Sequence, residues 1–79
     1  MPTLESLKTG SRCRVASVRG EALLRERIVE LGFTPGAAVE VRGRAPMGDP
    51  MEVKIRGGLL AVRRDEAALV DVVPEADAA

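Results

Sequence analysis

The chain has 79 residues, 46% hydrophobic and 30% charged, with 12 basic and 12 acidic side chains and no histidine. That length suits one small domain, the composition is far from that of a disordered chain, and the charge balance argues against a surface built for phosphate backbones or anionic lipid. The single cysteine, Cys13, excludes an internal disulfide and a thiolate metal cluster.

The opening residues contain an early acid, Glu5, and no apolar segment, so they do not read as a signal peptide. The longest apolar runs, Leu59 to Val62 and Ala67 to Val70, are too short to cross a bilayer. A cytoplasmic location is expected. Thr3 to Leu7 predicts a short turn in which the Thr3 side chain caps the amide of Ser6, with Leu4 and Leu7 on one face. Gly10 ends it. Arg12 to Val18 predicts a first strand, with Cys13 and Val15 inward and Arg12 and Arg14 outward.

Glu21 to Leu31 is the one strong helical pattern. Leu24, Ile28 and Leu31 recur at i, i+4 and i+7 and form an apolar stripe, and Glu21 and Arg25 make a favourable pair one turn apart. Gly32 stands where a left-handed cap is wanted, Phe33 follows to return to the core, and Thr34-Pro35-Gly36 completes the turn.

Val39 to Arg44 and Met51 to Arg56 alternate strictly, with Val39, Val41, Met51, Val53 and Ile55 inward. Setting Val41 opposite Val53 also sets Glu40 against Lys54 and Arg42 against Glu52, opposite charges in both cases, which favours that antiparallel register. Gly57-Gly58 signals a two-residue hairpin, and Leu59 to Arg63 returns as a strand. Arg64 to Ala68 predicts a turn or single helical loop, and Leu69 to Val73 a last strand. Residues 1–73 are thus expected to form the domain and residues 74–79 a disordered acidic tail. The expected fold is mainly β, a small SH3-like barrel of about five strands with one inserted α-helix, because so few strands hide a core and their edges only by curling.

The chemistry the chain lacks is informative. With no histidine, general-base work would fall to a carboxylate, a lysine or the amino terminus. Cys13, on an inward strand face, reads as a small hydrophobe rather than a nucleophile. Phosphate-binding and nucleophile-elbow motifs are absent, and Gly57-Gly58 opens no helix. Asp49, Asp65 and Glu66 lack the spacing of a calcium loop, and Glu26 with Glu30 is a weak pair. No catalytic residue, metal ligand or cofactor site is expected. Arg12 with Arg14, Arg42 with Arg44, and Lys54 with Arg56 could form basic stripes for nucleic acid. Glu40 and Glu52 interrupt them, and single-strand binders need stacking aromatics; the one ring, Phe33, has a core role. Nucleic acid is therefore the lesser reading.

Two features are not absorbed by the core. Ala45-Pro46-Met47-Gly48-Asp49-Pro50 is framed by prolines that push Ala45 and Asp49 toward extended geometry, so the loop is expected to be stiff with Met47 at its tip. A stiff loop carrying an adaptable thioether suits docking, because little conformational entropy is lost on binding; the alternative folds Met47 over the barrel end. On the helix, Leu23 lies about 100° from the Leu24 stripe beside Arg27. The candidate partner-binding residues are therefore Leu23, Arg27, Pro46, Met47, Gly48, Asp49 and Pro50.

Taken together, Arg25 to Gly36, Ala45 to Pro50, and Leu60 to Ala67 followed by Val70 and Val72 resemble the FeoA family, and with Leu4 to Gly10 the likeness runs from about Thr3 to Val73. Met47 stands where the family often carries another aliphatic residue. The resemblance implies an SH3-like barrel and a cytosolic role beside FeoB, the membrane ferrous-iron transporter with a GTPase domain. A related domain ends DtxR-type regulators, where it binds protein. No metal site is carried over by the resemblance. An accessory that binds the cytosolic part of the transporter is expected, with self-association open.

Overall fold

The computed structural model describes residues 1–75. Five strands form one antiparallel sheet in the order β4-β3-β2-β1-β5, where β1 is Arg12–Val18, β2 Ala38–Arg44, β3 Met51–Ile55, β4 Gly58–Val62 and β5 Val70–Pro74. A short 3-10 turn, Leu4–Ser6, precedes β1; helix α1, Ala22–Glu30, connects β1 to β2; a single-turn helix α2, Arg64–Ala67, connects β4 to β5. The mainly β fold with one substantial inserted helix is as the alternation of the sequence predicts.

The core is assembled from the inward residues of the strands. Cys13 and Val15 of β1, Val39 and Val41 of β2, Met51, Val53 and Ile55 of β3, Val62 of β4, and Val70 and Val72 of β5 are all buried, together with Leu4, Ile28, Phe33 and Ala67. Aliphatic side chains thus fill an interior to which one ring contributes. Burying each such side chain is worth about 1.5–3 kcal/mol, so the strand pattern carries most of the stability.

Several local expectations shift. The Thr3 side chain caps nothing; the Thr3 carbonyl accepts instead, from the Ser6 amide at 3.1 Å and the Ser6 hydroxyl at 2.7 Å. In α1 only Ile28 is fully buried, Leu24 is half-buried, and Leu31 is 41% exposed. The backbone reverses at Gly32, whose φ of +122° only glycine adopts freely, and delivers Phe33 to the interior in place of Leu31.

Val41 and Glu40 pair with Val53 and Lys54 as expected, but the register then slips, so that Gly43, not Arg42, opposes Glu52. Arg42 is the extra residue of a β-bulge, which bends the strand at a sheet that must curl. The β3–β4 hairpin turns on Arg56 and Gly57, at φ of +54° and +80°, rather than on Gly57-Gly58. This register pairs every β3 residue, including Met51 with Val62. Centring the turn one residue later would set Met51 against Arg64, which α2 occupies. Arg56 accepts the left-handed geometry at a cost of about 1 kcal/mol.

β5 also runs one residue beyond the expected boundary. Pro74 pairs with Cys13, and the Glu75 amide donates to the Arg12 carbonyl at 2.8 Å. The rest of the expected tail, residues 76–79, lies outside the described residues.

Candidate functional site

The loop between β2 and β3 is fastened from several sides. Within it, the Ala45 amide donates to the Pro50 carbonyl at 3.0 Å and the Gly48 amide to the Ala45 carbonyl at 2.7 Å, which closes the reversal. Gly48 has φ of +85°, a left-handed geometry that favours glycine; a Cβ there would stand 2.9 Å from the Arg64 guanidinium, the mobile end of a long side chain. The Asp49-Pro50 peptide is cis.

Two arginines complete the fastening, and sequence reasoning missed both. Arg44 Nη2 donates to the carbonyls of Glu5 at 2.6 Å and Leu7 at 2.9 Å, tying the N-terminal turn to the end of β2, while its Nη1 reaches the Gly48 carbonyl at 3.5 Å. Arg64 Nη2 reaches the Met47 carbonyl at 3.5 Å. No local pattern marks either residue, because apart from the Gly48 carbonyl their acceptors are backbone carbonyls distant in the chain.

Asp49 bonds to the neighbouring helix α2. Its Oδ1 accepts the Arg64 amide at 2.9 Å, supplying from another segment the kind of bond an N-terminal cap gives to the first free amides of a helix. The Glu66 carboxylate accepts the Arg63 amide at 3.2 Å at the same end. Asp49, though exposed, thus helps to hold the loop against α2.

Met47 is left at the tip, 87% exposed, so the geometry in which it folds over the barrel end is not adopted. Pro46 and Pro50 flank it and are also exposed. Of the helix residues singled out from sequence, Leu23 is 78% exposed and Arg27 is exposed. Among the described residues, neither makes a hydrogen bond or ion pair with the loop. The structure therefore assembles Pro46, Met47, Gly48, Asp49 and Pro50 into one braced projection, to which, among the described residues, no polar contact joins Leu23 or Arg27. A separate shallow groove between α1 and the end of β1 is lined by Val18, Val29 and Pro35 with Ser17, Arg25 and Glu26.

The Cys13 thiol lies in the core, and burial pushes its pKa up to about 11, with the nearby Glu75 carboxylate adding to the effect. A thiol held protonated is a poor nucleophile. Among the described residues, no three His, Cys, Asp or Glu side chains gather as a metal-binding group, and no helix is long and apolar enough to cross a membrane.

Comparison with known proteins agrees with this architecture. The FeoA domain family model matches residues 3–74. A fusion protein of Porphyromonas gingivalis, Fe(2+) transport protein A with the Fe(2+) transporter FeoB, is 35% identical over 69 residues; the match takes in 87% of this chain and 8% of that protein's length. The solution structure of FeoA from Chlorobium tepidum is 44% identical, with a TM-score of 0.81 over 90% of this chain and 68% of that one. The zinc complex of Stenotrophomonas maltophilia FeoA, described as an SH3 domain protein, is 30% identical with a TM-score of 0.79, covering 92% and 91%. A manganese-dependent transcriptional repressor, 17% identical with a TM-score of 0.85 over 94% of this chain and 36% of that one, shares the fold alone. The mainly β core, the inserted helix and the match across nearly the whole chain lead to one conclusion: this protein belongs to the FeoA family, which is associated with ferrous iron transport.

Proposed function

We propose that this chain is a non-catalytic accessory of ferrous iron uptake that docks on the cytosolic part of a FeoB-type transporter, with the Met47 loop as the contact. The observation that carries the reading is a largely exposed thioether on a backbone fixed by Arg44, Asp49 and Arg64. Fixing the loop in advance removes part of the ordering cost of association, and an unbranched thioether packs against irregular apolar surfaces. The fusion relative supports adjacency to the transporter, since there the two named parts share one polypeptide.

The test compares binding of wild type and Met47→Asp to the isolated soluble domain of the transporter. A buried apolar anchor replaced by a carboxylate should weaken the complex by about tenfold or more. Melting should not move, because the side chain is 87% exposed. Equal affinity of the two proteins would remove the loop from the docking surface. Loss of ferrous uptake on deleting the chain, with transporter abundance unchanged, would support the accessory role itself.

A further inference from the structure

The two outer strands of the sheet differ in what lies beside them. Along β5, Thr3 forms an antiparallel bridge to Asp71, and the Val72 amide donates to the Pro2 carbonyl at 2.9 Å. Along the outer side of β4, Gly58–Val62, no backbone partner is present among the described residues. This strand, Gly-Leu-Leu-Ala-Val, holds no charge, no proline and no bulge, the devices that normally blunt an edge.

The hairpin turn tells which groups face outward. Ile55 and Gly58 close the two-residue turn, so the amide and carbonyl of Gly58 point at β3. Backbone groups alternate along an antiparallel strand. Those of Leu60 therefore also face β3, and those of Leu59 and Ala61 face the open side. Their side chains stand on the outer face of the sheet, where Leu59 is 62% exposed and Ala61 is exposed.

We infer that β4 is a self-pairing site, in which a second copy of this chain adds its own β4 antiparallel about a two-fold axis at Leu60. The axis position follows from the residues. Outward-facing groups must meet outward-facing groups, which leaves Leu59, Leu60 or Ala61 as the central residue. An axis at Leu59 continues the outer face into Lys54 of both copies, and an axis at Ala61 into Glu52 of both copies, because Lys54 pairs with Leu59 and Glu52 with Ala61. Each of these puts like charges at the two ends of one cross-strand row. Centred on Leu60, Leu59 faces Ala61 of the partner subunit, a large side chain against a small one. Each row then begins at Glu52 of one copy and ends at Lys54 of the partner subunit, opposite in sign. Four backbone hydrogen bonds form, two at each Leu59–Ala61 pair. The inference does not rest on the transporter reading and uses a different surface from the Met47 loop.

The experiment measures mass by sedimentation equilibrium on the full chain up to about 1 mM, which reaches Kd values in the millimolar range, together with amide exchange by NMR. Wild type should dimerise, and slowing of exchange with concentration should be confined to the Leu59 and Ala61 amides, with those of Gly58 and Leu60 unchanged. Ala61→Pro removes an amide that serves only the open side, so it should leave β3 pairing intact and raise Kd by at least tenfold. Leu59→Lys, at an exposed position, should do the same and covers the case in which the proline variant fails to fold. A monomer throughout the range overturns the inference, and so does a dimer that Leu59→Lys leaves at full strength or whose protected amides lie elsewhere.

Discussion

At one end of the sheet, β5 is sheltered by the start of the chain. Pro2 and Thr3 lie along its outer side, Leu4 is fully buried beneath, and Asp71 accepts from Ser17 and from Arg19, whose Nε stands 3.1 Å from the carboxylate. At the other end, β4 sends Val62 into the core and has nothing laid against its outer side among the described residues. Both strands serve the interior, β5 through Val70 and Val72 and β4 through Val62 with the partly buried Leu60, since burial depends on the face a side chain occupies. Covering an edge is a separate matter, decided by segments far away in the chain. A sheet this small can thus be complete as a core and still offer backbone groups to another molecule.

The largest test of this contrast is Leu4→Ala. If the N-terminal turn belongs to the fold, this substitution should lower stability by about 2–5 kcal/mol, as much as Ile28→Ala in α1. For a domain of this size that is a large share of the total. A denaturation midpoint unmoved by Leu4→Ala would make the β5 cover an ornament of the surface. Asp71→Ala comes next. It removes the acceptor of Ser17 Oγ and Arg19 Nε, and the loss should be about 1–2 kcal/mol, because the half-exposed arginine is screened by solvent. Restoring wild-type stability with Asp71→Asn would show that hydrogen bonding, not charge, is what the edge needs. The smallest effect belongs to the bare edge: Leu59→Lys should change stability by no more than about 0.5 kcal/mol. A loss of several times that in thermal melts of the dilute, monomeric protein would mean β4 is already covered.

The candidate site was only partly legible. Met47 could be picked out because prolines on both sides restrict the backbone and no strand pattern claims the residue. Its bracing could not. Arg44 and Arg64 read as two of many surface arginines until the fold brings carbonyls of Glu5, Leu7, Gly48 and Met47 within their reach. Asp49, singled out as a contact residue, is exposed and also accepts the Arg64 amide that α2 presents to it, a scaffold bond the sequence did not suggest. Leu23 and Arg27 were found exposed as the helical spacing suggests, but sequence gave no means of relating that face to the loop.

Alternation with a period of two chose the inward faces of β1, β2 and β3, and an i, i+4 spacing found the helix, because both periods are properties of the local backbone. Gly32 announced the end of that helix for the same reason. What the local chain could not decide was anything set by competition between distant segments. The β2–β3 register slips at Arg42 so that the sheet can bend, and the hairpin turns on Arg56 so that Met51 can reach Val62. The expectation that curling would hide every edge fails at β4 as well. Hiding it takes a partner strand, and only the assembled molecule fixes which segments are free to be one; here Pro2 and Thr3 went to β5.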